Sequence, residues 1–591
     1  MVINLLLAGV AWAHPEEAEE TARGRLPGKV ENVELVGRAM VSNAGLGRIA
    51  DVNVFGTYAY LGAFSEPECE NGGVYVLDIS DPANPRELPD AFIPAAEGSF
   101  VGEGVQILDV KTPAFTGQVL LHNNEICDEE GEGKGGLSLW DVTDPRDPQP
   151  LAENVGDVDG SLLFDPEDPE AGPEAVHMIH SAFGWIDGDR AYAVIVDDEE
   201  PGTLDIDIMD ITDPRAPTLI AETGLAEFDE ARQDPPPHGD LTLFHDVVVE
   251  EVDGHMLMLA SYWDAGWVIL NVDDPANPVF LRDTDYAEVE PFAERLSLPK
   301  GLVPEGNAHQ AEFTNDHELF FATDEDFDPF RAQVQITSGP NAGSTFEAAN
   351  GSEVLSLRPD RTLEGPTAYV GDACDPLPAA GGEGVTALIE RAPCPFQQKA
   401  DNVRAAGYAG GIVFSNERPD CEALIMMEVT SDIPFVLITR SAGLAFLGVD
   451  AVEPCTTAEP EAGAPSADVL ANAIFDGWGY VHLYDAQTME EIGLYAIPES
   501  LDPASAEGFG DLSVHEVATD PKRSLAYFSY YAGGFRVVEY SREGIREVGA
   551  YIDPELGNNL WGVQVHEING EQYVLASDRD TGLWIFRYTG P

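Results

Sequence analysis

Four histidines and one glutamate stand at matching places in a repeating sequence. His180-Ser181-Ala182, His245-Asp246-Val247, His309-Gln310-Ala311 and His515-Glu516-Val517 align with one another, and Glu103-Gly104-Val105 aligns with them. Ala50-Asp51-Val52 and Trp561-Gly562-Val563 complete a set of seven. Each phrase opens a short apolar strand. Around a common axis, equivalent positions would sit at one height and point inward. Several imidazoles with a carboxylate suit a transition metal such as Zn, Cu, Fe or Mn. Ala50 and Trp561 would leave one side without donors, the water or substrate side of an open site. His177 lies three residues before His180 and could join or substitute for it. Asp246, Gln310 and Glu516 follow the histidines and should alternate outward, where they would support the ligands or bridge neighbouring units. A plainer role exists for every histidine: a hydrogen bond from a strand start to a carbonyl, with water in the channel. The argument for a metal is that four of only twelve histidines share one repeat position.

A second acidic set follows the next strands: Asp197-Asp198, Asp264, Asp324-Glu325-Asp326 and Asp578-Arg579-Asp580. These are expected either to cap turns or to line the rim beside the histidines and assist binding or acid–base work. Asp324-x-Asp326-x-Asp328 echoes a calcium loop but lacks its glycine and distal glutamate, so calcium is the lesser candidate. Trp185, Trp263 and Tyr530 are expected to pack between units rather than to bind sugar.

The elements that position these residues come from one recurring phrase. Asp78-Ile79-Ser80-Asp81-Pro82, Asp141-Val142-Thr143-Asp144-Pro145, Asp210-Ile211-Thr212-Asp213-Pro214 and Asn271-Val272-Asp273-Asp274-Pro275 carry their Asp-Pro steps 63, 69 and 61 residues apart. Each ends a strand such as Gly73-Val74-Tyr75-Val76-Leu77 and enters a turn, where the acid caps and proline stops the ladder. Units of three or four short strands without amphipathic helices predict a β-propeller. On these phrases the chain resembles the LVIVD-repeat propellers over most of residues 30–335 and 470–591. The last unit has strands near Val563, at Tyr573–Ala576 and at Leu583–Phe586, and then the chain ends. The spare strand Val33–Met40 is expected to complete it, giving a closed ring of seven blades.

His309 and His515 stand 206 positions apart, against about 65 for neighbouring blades. The surplus contains Ala387-Leu388-Ile389-Glu390-Arg391-Ala392-Pro393-Cys394-Pro395-Phe396, a run from Lys399 to Asn416, and Ile433-Pro434-Phe435-Val436-Leu437-Ile438. Lys399 to Ala406 reads as a helix closed by Gly407; Gly411–Phe414 and Pro434–Ile438 read as buried strands. This stretch resembles the protease-associated (PA) domain, with Ala392 where the family has a turn glycine and Tyr408 where it has alanine. The resemblance implies a non-catalytic module that binds a protein or peptide partner or restricts access to a neighbouring site. The expected organisation is a signal-like segment 1–13, a leader 14–29, propeller blades over 30–335, a PA insertion over 336–468, and the remaining propeller over 469–591.

With 30 Lys and Arg against 107 Asp and Glu, the formal charge is −77. Only six of the basic residues are lysine. That balance excludes nucleic-acid binding and adhesion to anionic lipid, which need basic patches. Met1–Ala13 is apolar and ends in Ala11-Trp12-Ala13, a small-x-small pattern expected to be cut before His14, although no positive residue precedes it. It is too short to span a bilayer, and no later run is long enough. Six cysteines behind such a segment predict disulfides and a secreted or cell-surface protein. The expected pairs are Cys69–Cys127, which would tie adjacent repeats, Cys374–Cys394 and Cys421–Cys455. No CxxC, Gly-x-Ser-x-Gly or His-Glu-x-x-His is present. Two functions fit: an exported interaction protein presenting a PA module, with any metal structural, or an extracellular metal-dependent oxidoreductase or hydrolase using the histidine cluster.

Overall fold

A computed structural model describes residues 24–591 apart from 44, 65–70, 128–132, 158–175, 198–203, 229–230, 232–241, 288, 299–301, 353–354, 356–360, 419–420, 423, 425–426 and 428. The expected segment 1–13, most of the leader and Cys69 fall outside the described residues, and with Cys69 the pairing Cys69–Cys127.

Seven antiparallel sheets form a β-propeller, each beginning at one of the seven aligned phrases. The innermost strands are Ile49–Phe55, Gln106–Lys111, Ala182–Asp187, Phe244–Val252, Ala308–Phe313, Val517–Thr519 and Leu560–Ile568, which define blades 1 to 7. The recurring Asp phrase makes the same turn each time. Ser80 N–H donates to Asp78 Oδ1 at 3.0 Å, Thr143 N–H to Asp141 Oδ1 at 2.9 Å, and Thr212 N–H to Asp210 Oδ1 at 2.9 Å. These side chains mimic a backbone turn and release the chain into the outermost strand.

Val33–Met40 pairs antiparallel with Gly582–Tyr588 and supplies the fourth strand of blade 7. The ring is thereby closed by hydrogen bonds between the two ends of the described chain, and no blade is left as an open end. A strand not expected from the sequence, Lys29–Glu31, adds a fifth strand to blade 6 against Gly544–Ile552. Neighbouring blades share apolar cores. Val194, Ile208 and Trp185 of blade 3 pack with Val247, Met258 and Ala260 of blade 4, burying a face that neither sheet could cover alone.

Polar latches run between inner strands. Val105 N–H donates to Asp51 Oδ2, Val517 N–H to Gln310 Oε1 and Val563 N–H to Glu516 Oε2, each into the next blade at 2.9–3.2 Å. Ser181 Oγ donates to Asp246 Oδ1 at 2.9 Å. Asp246, Gln310 and Glu516 thus accept hydrogen bonds from neighbouring blades, one of the two roles expected of them, and they line the wider half of the channel.

Blade 5 is interrupted. Its second strand, Leu319–Asp324, pairs with Val481–Asp485, which arrives only after the insertion. Phe330–Ile336, which crosses the expected boundary after 335, and Val469–Phe475, which lies wholly beyond the one after 468, pair with each other and join an eight-stranded sheet of the inserted domain. Arg331 pins this stem, 2.8 Å from Asp476 and 3.0 Å from Glu305. Within the insertion Thr367–Tyr369, Thr386–Glu390, Gly410–Phe414 and Phe435–Ile438 run parallel. The helix Phe396–Ala405 covers one face, three residues longer at its start than its propensity suggested. Ala392 holds φ 62°, the left-handed conformation for which a glycine is usual. The buried Lys399 ammonium secures that turn by donating to the carbonyls of Asp372, Glu390 and Ala392 at 2.6–3.2 Å. The disulfides Cys374–Cys394 and Cys421–Cys455 both form here.

Candidate metal centre in the channel

All four aligned histidines are buried and face one another around the axis. Ring centroids run 4.4 Å from His180 to His245, 4.5 Å from His245 to His309, and 4.2 Å from His309 to His515. Glu103, from the blade 2 position, reaches into this arc. Its Oε1 lies 3.1 Å from His309 Nε2 and 3.0 Å from His515 Nε2, and its Oε2 lies 3.7 Å from His180 Nε2.

A local irregularity accompanies the aligned phrase on four of the blades, two of them carrying a histidine. On blades 1, 4, 5 and 7 the pairing of the first two strands shifts at the aligned phrase, between Ile49 and Val52, Phe244 and Asp246, Ala308 and Ala311, and Leu560 and Val563. A bulge breaks the simple in–out alternation. This explains why His245 and Asp246, adjacent in sequence, both serve the channel.

Two further carboxylates complete the cluster. Glu325 Oε2 lies 3.3 Å from His309 Nε2, and its Oε1 lies 3.6 Å from His515 Nε2. Glu125 Oε2 lies 3.3 Å from His180 Nδ1. Glu325 belongs to the rim set read from the sequence. Glu125 was missed, although it occupies the corresponding place after the second strand of blade 2, Thr116–His122. The tyrosine hydroxyl of Tyr531 donates to Glu325 Oε1, and its ring sits 5.4 Å from His515. Trp263 and Trp561 each stand 4.8 Å from a histidine ring, His245 and His515 respectively.

Other sequence candidates do different work. His177 Nδ1 meets Asp197 at 2.7 Å, away from Glu103. Glu516 comes within 3.7 Å of His515 Nδ1 while latching Val563. Asp264 Oδ1 accepts from Asn307 N–H of the next blade, and Asp578 accepts from Asn559 N–H on Oδ2 and caps its own turn by accepting from Asp580 N–H and Thr581 Oγ1 on Oδ1. Trp185, Trp263 and Tyr530 are buried, as expected of packing residues.

The electrostatics favour ligand-ready groups. Burial alone would raise Glu103, but the positive charge and hydrogen bond of His309 and the hydrogen bond of His515 hold it well below the usual carboxylate range. Burial works against a charge on His309, yet Glu325 and Glu103 lift it to about 9. With that charge in place, burial and His309 push His515 down to about 3. Burial, His180 and His309 keep His245 well below its ordinary value. The low values of His245 and His515 favour the neutral imidazole that a metal requires, whereas His309 favours its protonated form, and a metal bound there would displace that proton.

Three overlapping groups have one donor per residue within 4.8 Å of each other: Glu103, His309 and His515; Glu103, His180 and His245; and His245, His309 and Glu325. Beside them lies a void of about 10 Å³, bordered on one side by Phe64, Gly102 and Trp561. That is room for a single ion or water. On the other side of Glu103 the channel widens to about 530 Å³.

A family model described as LVIVD repeat matches residues 46–89, and one described as PA domain matches residues 363–446. Both assignments agree with the resemblances carried by the sequence phrases. No curated protein matches the chain. Among solved structures, a zinc aminopeptidase from Bacillus subtilis is 17% identical over 28% of this chain and 35% of its own, with a TM-score of 0.19. The chain thus spans about a third of that protein's length. U3-55K is 7% identical over 95% of this chain and 99% of its own, with a TM-score of 0.40. An exo-beta-1,3-galactanase from Clostridium thermocellum is 12% identical over 55% and 64%, with a TM-score of 0.30. Likenesses at this level carry no argument about function.

Proposed function

We propose that this LVIVD-repeat propeller binds one transition-metal ion on its axis, through His180, His245, His309, His515 and Glu103 with Glu325 alongside, and that the PA insertion serves as its recognition module for a protein or peptide. The observation that carries the reading is the single Glu103 carboxylate, which brings Nε2 of three histidines from three blades within 3.0–3.7 Å of its oxygens. An imidazole-rich, partly carboxylate donor set suits Zn, Cu, Fe or Mn better than calcium, which takes oxygen ligands. Export fits the two disulfides, since such bonds persist in oxidising compartments. Among the described residues no helix is long and apolar enough to cross a membrane.

A second reading, a metal-dependent enzyme, is favoured by one feature. Among the described residues, the border of the void at Phe64, Gly102 and Trp561 offers the cluster no metal-ligating side chain, and catalytic metals keep such an open position.

Metal analysis of full-length protein purified without chelators tests the binding. His309→Ala is expected to hold one equivalent of transition metal fewer than the wild type, with the fold retained. Protein that holds none, and whose melting temperature is unmoved by added Zn, Cu, Fe or Mn, would sink the reading. Retained metal with turnover of a substrate lost in His245→Ala would favour the enzyme.

A further inference from the structure

Away from the axis, a second set of metal-type donors converges between blades 2 and 3. His177 Nδ1 lies 2.7 Å from Asp197 Oδ2 and 3.9 Å from Asp157 Oδ2. One donor atom from each of the three falls within 4.8 Å of the others. The placement comes from three separate pieces of chain. Asp157 follows Gln149–Val155, the outermost strand of blade 2, and Asp197 follows Arg190–Val196, the second strand of blade 3. His177 is docked between them, its N–H donating to the Asp157 carbonyl at 3.2 Å. The His177 and Asp197 side chains are 1% and 0% exposed, and that of Asp157 is 14% exposed.

Buried charge is tolerated where it is paired or bound to a metal. Asp157 Oδ2 is buried and has no hydrogen-bond donor among the described residues, although buried carboxylate oxygens nearly always find one. One imidazole nitrogen with carboxylate oxygens from two aspartates is a set for a divalent ion that accepts mixed nitrogen and oxygen ligands. It differs from the imidazole-rich channel and shares no residue with it.

We propose that Asp157, His177 and Asp197 form a second divalent-cation site of the Zn²⁺ class. The ion would join Asp157 and His177, which bracket residues 158–175, to the end of the second strand of blade 3. The site stands independently of the channel centre.

Equilibrium dialysis of the full chain against Zn²⁺ alone, after chelator stripping, tests this with the channel disabled. His309→Ala/His515→Ala protein should still bind one equivalent. Adding Asp157→Asn or Asp197→Asn should weaken that binding at least tenfold, in line with or beyond the roughly 10–100-fold cost of losing a supporting partner. Where the buried Asp197→Asn does not fold, as judged by circular dichroism, the less buried Asp157→Asn decides. Folded channel-disabled protein that binds no Zn²⁺, or full affinity retained in Asp157→Asn, overturns the proposal. If the channel reading alone is wrong, wild type and channel-disabled protein bind the same single equivalent.

Discussion

His482 Nε2 lies 2.8 Å from Asp324 Oδ2, joining residues 158 positions apart across the inserted domain. Asp324 ends the strand that leaves blade 5, and His482 is the second residue of the strand that returns to it. Burial would lower His482, but Asp324 and Glu491 lift it to about 9, while burial raises Asp324 against the pull of His482. Tyr286 also donates to Asp324, at 3.3 Å. The clasp holds the strand end next to which Glu325 reaches the histidines.

His482→Ala should therefore destabilise the propeller by about 3–5 kcal/mol, the cost of stranding one member of a buried pair. Denaturant unfolding checks this. A change within about 0.5 kcal/mol, the size of an ordinary surface substitution, would show that the clasp is dispensable.

Glu103→Gln tests the centre of the cluster. The amide keeps the shape but removes the charge that faces His180, His309 and His515. Metal affinity measured by competition with a chromogenic chelator should drop by more than the roughly 10–100-fold that an outer partner contributes. Unchanged affinity would remove Glu103 from the ligand set.

Both described disulfides lie in the inserted domain, closing sequence separations of 20 and 34 residues. Chain-entropy estimates give about 3 and about 4 kcal/mol for loops of these sizes. Reduction should make the insertion protease-sensitive while the blades keep their sheet signal in circular dichroism. Simultaneous loss of both would mean that the two domains unfold as one unit.

Ring closure depends on Val33–Met40. Deleting residues 1–40 should expose the edge of Gly582–Tyr588 and promote association, seen as larger species in size-exclusion chromatography with light scattering. Monomeric protein of unchanged melting temperature would contradict this.

Burial and Asp580 raise Asp578 to about 7, and burial and Glu250 raise Glu312 to about 8. For a carboxyl raised by folding, the fold prefers the protonated form. Its contribution is full below the unfolded value of about 4 and is lost as pH climbs through 7–8. The net charge of −77 adds repulsion in the same direction. The melting temperature should thus fall from pH 5 to pH 8, less steeply in Glu312→Gln and in high salt. A flat or rising profile would contradict the assignment.

The repeat, the blade count, the closing strand and the PA insertion were legible because they rest on local chemistry. Asp-Pro turns, two-residue alternation and glycine-bounded strands write their period into the chain whatever surrounds them. The alignment of His180, His245, His309 and His515 followed from that period. The rest depended on closure. Only the closed ring, with bulges at the His245 and His309 phrases, shows why Asp246, Gln310 and Glu516 latch the neighbouring blade. Only the ring brings Glu125 and Glu325 beside histidines 55 and 16 residues away in sequence. Likewise His177 goes to Asp197 and not to the axis, since three residues of loop are enough to carry it out of the channel. A sequence period sets which positions are equivalent; the direction a side chain takes from such a position is decided by tertiary packing and pairing register.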